Sequence, residues 1–184
     1  MINRLPGTTI DIAVPNAKAA RDVLSNVFLS GGLMMSQVAG LTGLEYYLIQ
    51  NWVKRGFVSP PQKKLYSMRQ FCRIAIINML RDSLQIEKIT NLLSYINGRL
   101  DDESDDIIDD CDLYFYYIAA VAEIETPTVD EKFIADHIEK VVDDFDEPFP
   151  GAKKRLVKVL AVMLNAHLAS MLRKRAEDIL NTLD

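Results

Sequence analysis

The chain is poor in the residues that build metal centres and disulfide frameworks. Among its 184 residues are two cysteines, Cys72 and Cys111, and two histidines, His137 and His167. No CxxC or HExxH motif is present, so the ligand spacing of a zinc site is missing. Isolated cysteines favour a reducing compartment, and we expect a cytoplasmic protein with Cys72 buried and Cys111 more exposed.

Long apolar runs and catalytic motifs are equally scarce. No uninterrupted apolar stretch reaches the roughly 20 residues that a membrane-spanning helix needs, and residues 1–15 lack the ordered regions of a signal peptide. No glycine-rich phosphate loop or nucleophile–base spacing is recognisable. The acidic run DDESDDIIDDCD at residues 101–112 lacks the glycine and terminal glutamate of an EF-hand loop. We therefore predict no enzymatic activity, no cofactor, no bound metal and no membrane partner.

Charge is distributed very unevenly along the chain, which has a net charge of -5. Residues 33–99 contain 9 basic and 3 acidic side chains, whereas residues 100–184 contain 9 basic and 21 acidic ones. A basic module inside an acidic protein is typical of nucleic-acid contact. We predict an N-terminal helical extension over residues 1–32, a DNA-binding domain over 33–99, and an acidic linker with a helical domain over 100–184.

Apolar periodicity predicts an all-α protein whose strand content is limited to a short wing. Helices are expected over residues 15–29, from about residue 107 to 124, over 128–145 and over 152–183. Thr128 is the predicted N-cap of the third of these, with a glutamate three residues later. The start of the acidic run is expected to be a solvated linker, and its end the first turn of a helix.

Residues 36–56 have the pattern of two short helices joined by a tight turn. Ser36 is the predicted N-cap of a helix over residues 37–41, Thr42-Gly43 supplies the turn, and a second helix follows over residues 44–55. The apolar side of this second helix is expected to pack inward through Leu44, Leu48, Ile49 and Trp52. Its opposite side then presents Glu45, Tyr47, Gln50, Asn51 and Lys54.

These outward-facing side chains suit the major groove of DNA. Gln50 and Asn51 can each pair with an adenine edge, and Lys54 can reach guanine or phosphate. Tyrosine hydroxyls such as that of Tyr47 commonly hold phosphates, which fixes the register of a protein on the duplex. A helix-turn-helix uses its second helix in this way.

The same stretch resembles the N-terminal domain of the MerR family of bacterial transcription regulators. The residues that carry the resemblance are Leu41-Thr42-Gly43, Ile49, Trp52, Lys54-Arg55-Gly56-Phe57, Pro60-Pro61, Lys63-Lys64, Tyr66-Ser67, Phe71 and the run Ser83 to Ile89. The resemblance implies a MerR-like winged helix-turn-helix. It further implies that Lys63, Lys64 and Tyr66 form a wing on the DNA backbone, with Arg69 reaching a phosphate.

The C-terminal part departs from that family, whose DNA-binding domains usually continue into a long dimerising coiled coil. The layout is more similar to an uncharacterised bacterial family that joins a MerR-like N-terminal domain to its own helical C-terminal domain. The aromatic cluster Leu113 to Ile118 is expected to form the core of this domain or, alternatively, a ligand pocket. A dimer seam is suggested at Val159, Met163, Ala166 and Ser170, although an intramolecular core would use the same stripe.

We therefore predict a sequence-specific DNA-binding transcriptional regulator, a repressor that binds double-stranded DNA as a homodimer. The helical C-terminal domain would serve dimerisation, the sensing of a small-molecule or protein effector, or both. The rival prediction is a protein–protein interaction adaptor that retains the fold without DNA binding, which Glu45 and the overall acidity favour. The opposite charges of the two halves also suggest that the acidic half folds back on the basic module and competes with DNA.

Overall fold

The computed structural model describes residues 4–12, 16–100, 102, 105–122, 124 and 130–183. Within these residues the chain forms eight α-helices and one two-stranded antiparallel sheet. In chain order the elements are α1 (Ala17–Val27), β1 (Leu33–Met34), α2 (Met35–Thr42), α3 (Tyr46–Lys54), β2 (Leu65–Tyr66), α4 (Met68–Leu80), α5 (Ile86–Asn97), α6 (Asp110–Ala122), α7 (Glu131–Val141) and α8 (Ala152–Leu180). The predicted all-α class is confirmed for the part of the chain described.

Local hydrogen bonds explain where the N-terminal helices start and stop. Asn16 caps α1 by accepting a hydrogen bond from the N–H of Ala19 at 2.8 Å. The predicted cap Ser36 is wrong, because α2 already starts at Met35. Instead, the side chain of Gln37 accepts a hydrogen bond from the N–H of Met34, the residue before the helix, at 2.8 Å.

The turn between α2 and α3 forms at Gly43, as predicted. Its φ of +69° lies in the left-handed region, and its N–H donates to the carbonyl oxygen of Ala39 at 2.8 Å. Farther along, α7 is capped by Asp130, whose carboxylate accepts from the N–H of Phe133 at 3.0 Å. Thr128, the predicted cap, lies outside the described residues, as does Pro15.

Helix α6 is the central element of the fold. It packs against α4, α1, α8 and α7, and its tyrosines Tyr114 and Tyr117 are fully buried. Most of the aromatic cluster is thus core, as the first of its two interpretations predicted, while Tyr116 is only half-buried. The buried side chains form one cluster that extends across the predicted domain boundary near Gly98, so the division into domains stays a prediction.

Helix α8 is 29 residues long and is buried only in its first half. Of the residues suggested as a dimer seam, Val159, Met163 and Ala166 lie inside the chain's own core, as the second interpretation of this stripe predicted, whereas Ser170 is half-buried. Among the described helices, α8 alone is long and apolar enough to cross a membrane, with 39% of its most apolar window buried. Length and composition are weak evidence for a membrane span, since core helices pass the same test.

The cysteines and histidines belong to the packed interior of the fold. Cys111 is 6% exposed, so the expectation that it is more accessible is wrong. Contact with the buried Cys72 and burial itself raise the pKa of the Cys111 thiol, which disfavours the reactive thiolate. His137 is hydrogen-bonded to the carbonyl oxygen of Ala120 at 2.7 Å, which is a structural role.

Candidate nucleic-acid interface

The solvent side of α3 holds the polar residues that the sequence associates with DNA. Its opposite side is anchored by Ile49 and Trp52, which are buried, and Leu44 just before the helix is buried as well. This anchoring leaves the following predicted site residues exposed: Glu45, Tyr47, Gln50, Asn51 and Lys54. One rigid helix therefore presents hydrogen-bonding groups and a cation on a single face.

The predicted wing is a minimal hairpin. Gln62 and Leu65 exchange both backbone hydrogen bonds, at 3.1 and 2.8 Å, across the two-residue turn of Lys63 and Lys64. Strand β2 then pairs with β1 in the register Met34↔Leu65. Because α2 starts directly after β1, the lysine turn lies close to the N-terminus of α2. Both lysines are exposed at the tip.

Gln70 fixes the loop that precedes the lysine turn. Its side-chain N–H groups donate to the carbonyl oxygens of Ser59 at 2.7 Å and Pro60 at 3.0 Å. Its side-chain oxygen accepts from the N–H of Ser67, which caps α4. The sequence analysis missed this residue, although Ser67 and Gln70 have the spacing of a capping box.

Tyr66 differs from the other predicted wing residues. It is 1% exposed, and its hydroxyl lies 3.8 Å from the sulfur of Met35, beneath the hairpin. Burial also raises the pKa of this hydroxyl. These contacts correct the prediction that Tyr66 meets the DNA backbone: its ring supports the wing from below.

Arg69 is held by carboxylates of the acidic segment. Its guanidinium is hydrogen-bonded to Asp106, and its Nε lies 3.5 Å from Asp109 and 3.7 Å from Asp110. Burial raises the pKa of Asp106, and the charge of Arg69 opposes that shift. The predicted phosphate contact of Arg69 would therefore have to compete with three carboxylates.

A groove of about 770 Å³ separates the lysine turn from the start of α4. Lys63, Gln70 and Arg69 line this groove together, and Asp110 lies at its inner end. A phosphate entering from the wing side would meet Lys63 and the Arg69 cluster in the same space. The acidic segment thus shares this groove with Lys63 through Asp110.

The remaining basic side chains around α3 differ in whether a neighbouring group holds them in place. Arg55 donates to Glu87 at 2.7 Å and lies 4.4 Å above the ring centroid of Phe57, so it is fixed against α5. Within the described ranges, Lys54, Lys63 and Lys64 form no ion pair. These three lysines are the accessible positive charges of the candidate interface.

The described part of the chain contains no group of three or more His, Cys, Asp or Glu side chains that could hold a metal ion. Residues 30–117 match a sequence family described as a domain of unknown function, DUF1836. The match covers just under half of the chain and extends from the wing through the acidic segment to α6. Comparison with curated proteins and with solved structures gives no match.

Proposed function

We propose that this protein is a DNA-binding transcriptional regulator, in which α2 and α3 form a MerR-like helix-turn-helix and α3 enters the major groove. The observation that carries the proposal is the exposed face of α3, on which Tyr47, Gln50, Asn51 and Lys54 project from a helix whose other side is buried. Amide and ammonium groups on one helix face can read base edges. Simple repression by a homodimer follows as the mode of action.

The backbone of the lysine turn supports this function. Lys63 and Lys64 have φ angles of 49° and 66°, the left-handed values that a two-residue hairpin turn of type I′ requires at both positions. Asn-Gly is the favoured sequence in such a turn, because side chains other than Asn and Asp resist left-handed backbone. A strained conformation that holds two exposed cations is typical of a functional site.

The free cations define how strongly binding should depend on salt. With Lys54, Lys63 and Lys64 accessible, each protomer should neutralise about two to three phosphates, so the logarithm of affinity should fall with the logarithm of salt with a slope of about -2 to -3 per protomer. Glu45, exposed at the start of α3, opposes phosphate and keeps non-specific affinity low.

A protein–protein adaptor is the second candidate function, and exposed apolar side chains favour it. Met34, Tyr46 and Tyr47 are 54%, 51% and 65% exposed around α2 and α3. Tyrosine and methionine are enriched at protein interfaces. An adaptor would use the same face without salt-sensitive affinity for DNA.

The experiment that separates these functions is selection of sheared genomic DNA on the purified protein, followed by sequencing. A Gln50→Ala/Asn51→Ala/Lys54→Ala variant removes the proposed reading face. The matched control, Gln85→Ala/Lys88→Ala/Asn91→Ala, removes the same three residue types from the exposed surface of α5 and its start. Thermal unfolding of both variants verifies that each is folded.

Enrichment of a few sites by the wild type and the α5 control, lost in the α3 variant, is the expected result. Two-fold symmetric sites would agree with a homodimer. If no DNA is enriched, and fluorescence polarisation with arbitrary duplex at low salt shows no salt-sensitive binding, the DNA-binding proposal fails and the adaptor becomes the better explanation.

A further inference from the structure

A second cavity lies between α1, α6 and the segment after α7. Its volume is about 440 Å³, within the range of small-molecule sites. Ile108, Phe115 and Ala119 contribute to its apolar surface, together with Ala17 of α1 and Val141 of α7. The cavity therefore joins three separate parts of the chain and is lined by both apolar and polar side chains.

Aromatic rings line one side of this cavity. The rings of Tyr116 and Phe145 meet edge to face, with centroids 6.2 Å apart. The hydroxyl of Tyr116 donates to Asp144 at 2.9 Å, and burial together with this carboxylate raises the pKa of Tyr116 to about 12. Tyr116 thus stays a neutral donor that fixes Asp144 at the edge of the cavity.

Carboxylates exceed cations around the opening. Asp112, Asp144 and Asp146 line the cavity, and Arg21 is the only Lys or Arg among the described residues that line it. Arg21 is already compensated by Asp112, to which its guanidinium donates at 2.7 Å. Asp144 and Asp146 remain without a cation in the described part of the chain.

The position of Arg21 indicates what kind of group the cavity accommodates. Its guanidinium carbon lies 4.3 Å from the centroid of the Phe115 ring while the group binds Asp112. A planar cation between an aromatic face and a carboxylate is a favourable arrangement. Tyr116 and Phe145 with Asp144 and Asp146 bring together the same kinds of group, aromatic rings and carboxylates, and within the described residues neither carboxylate forms an ion pair.

We propose that this cavity binds a small organic cation with an apolar body, such as a protonated arylalkylamine. The ammonium group would lie near Asp144 and Asp146, and the apolar body would cover the rings of Tyr116 and Phe145. An anion of the same shape would meet the uncompensated carboxylates and be repelled. The proposal does not depend on DNA binding, and its test uses no DNA.

The test is calorimetric titration of the full chain with three cationic probes: phenethylammonium, benzyltrimethylammonium and benzamidinium. Neutral 2-phenylethanol and anionic phenylacetate are the probes of matched shape. An Asp144→Asn/Asp146→Asn variant removes the charge, and Phe145→Leu removes a ring but keeps apolar bulk. Asp143→Asn is the control, because Asp143 is exposed in the same segment but does not line the cavity.

We expect at least one cation to bind, at least about fivefold more tightly than the neutral probe, with no detectable binding of phenylacetate. The Asp144→Asn/Asp146→Asn and Phe145→Leu variants should each weaken that binding at least about fivefold, whereas Asp143→Asn should leave it unchanged. Absence of binding for all three cations overturns the proposal. Equal binding of the neutral or anionic probe, or equal loss in Asp143→Asn, overturns it as well.

Discussion

Arg73 of α4 donates to both carboxylate oxygens of Asp110, at 3.2 Å each, in the interior of the protein. The two side chains are 7% and 2% exposed. A further bond from Arg73 Nε to the carbonyl oxygen of Phe57, at 2.8 Å, fixes the guanidinium. This pair ties the basic segment to the first turn of α6, and hence to the acidic half of the chain.

Breaking this pair from one side should be strongly destabilising. Asp110→Leu leaves the Arg73 charge buried without its carboxylate, and we expect a loss of about 3–5 kcal/mol in the free energy of unfolding. The double variant Arg73→Met/Asp110→Leu removes both charges and should recover part of that loss. Urea denaturation of the three proteins measures these differences. A double variant no more stable than Asp110→Leu would show that the hydrogen bonds to Phe57 and Asn97 matter more than the charge pairing.

Position 7 requires a glycine for two reasons: its backbone is left-handed, and close packing leaves no room for a Cβ atom. Its φ is +70°, and a Cβ atom there would lie 2.1 Å from the carbonyl oxygen of Ala75. Gly56 has a similar φ of +73° but open space around it, so it is the matched control. We expect Gly7→Ala to cost about 2 kcal/mol more than Gly56→Ala in urea denaturation, because only Gly7→Ala adds a clash to the backbone strain. Equal costs would mean that the N-terminal segment moves away from α4 without loss.

Local patterns in the sequence predicted the helices well, because periodicity and capping act over a few residues. The turn at Gly43, the inward side of α3 and the reduced wing all follow from such short-range rules. The errors at Ser36 and Cys111 have a different origin. The start of α2 directly after β1, whose residue Met34 pairs with Leu65, and the cover over the side of α6 that holds Cys111 both depend on contacts with distant parts of the chain.

The contacts of the acidic segment also could not be predicted from local sequence patterns. Its charge density indicated a solvated linker at the start, yet Asp106 lies against α4 beside Arg69. Its end forms the first turn of α6 with Asp110 and Asp112, as predicted. A partial signal was present, since Arg69 and Arg73 are one helical turn apart in α4 and therefore lie on one face. Composition alone could not distinguish repulsion within the segment from attraction to two arginines about 40 residues earlier.

If the lysine turn contacts DNA, its two lysines should lower the free energy of unfolding while raising the affinity for DNA. Lys63→Asn/Lys64→Gly introduces the favoured sequence for left-handed turn positions, and we expect it to raise the free energy of unfolding by about 1 kcal/mol. The same variant should weaken DNA binding and reduce the salt slope by about 1–2 units. Fluorescence polarisation and urea denaturation measure the two effects. The control Lys63→Arg/Lys64→Arg retains the charges and should retain the salt slope, whereas an unchanged slope in both variants would place the turn outside the interface.

Release of Arg69 should strengthen DNA binding, on the premise of the proposed function. Asp106→Asn/Asp109→Asn keeps the shape of both side chains but removes two of the charges that hold the guanidinium. We expect a salt slope steeper by about one unit, since one more phosphate contact becomes accessible. The control Asp136→Asn/Glu139→Gln makes the same change in net charge on the exposed surface of α7. If both variants bind DNA equally well, the gain reflects net charge alone, and the acidic segment does not restrain Arg69.

His167 should make the fold sensitive to mild acid. Its Nδ1 lies 2.7 Å from the hydroxyl of the fully buried Tyr117, and burial lowers the pKa of His167 below its usual 6.5. The folded state therefore binds this proton less readily than the unfolded state, so its stabilising contribution is complete above the unfolded pKa. That contribution is lost as pH falls through 6.5 towards the lower folded pKa.

The substitution that checks this mechanism is His167→Asn, because an amide oxygen can accept from Tyr117 but does not titrate in this range. The wild type should lose stability in urea between about pH 7.5 and about pH 5.5, and His167→Asn should lose clearly less over the same interval. In the tautomer in which Nδ1 accepts from the Tyr117 hydroxyl, protonation also turns Nδ1 into a donor, which adds to the cost in the wild type. An equal loss in both proteins would assign the acid sensitivity to other groups, and the Tyr117–His167 contact would then be a packing contact without a role in titration.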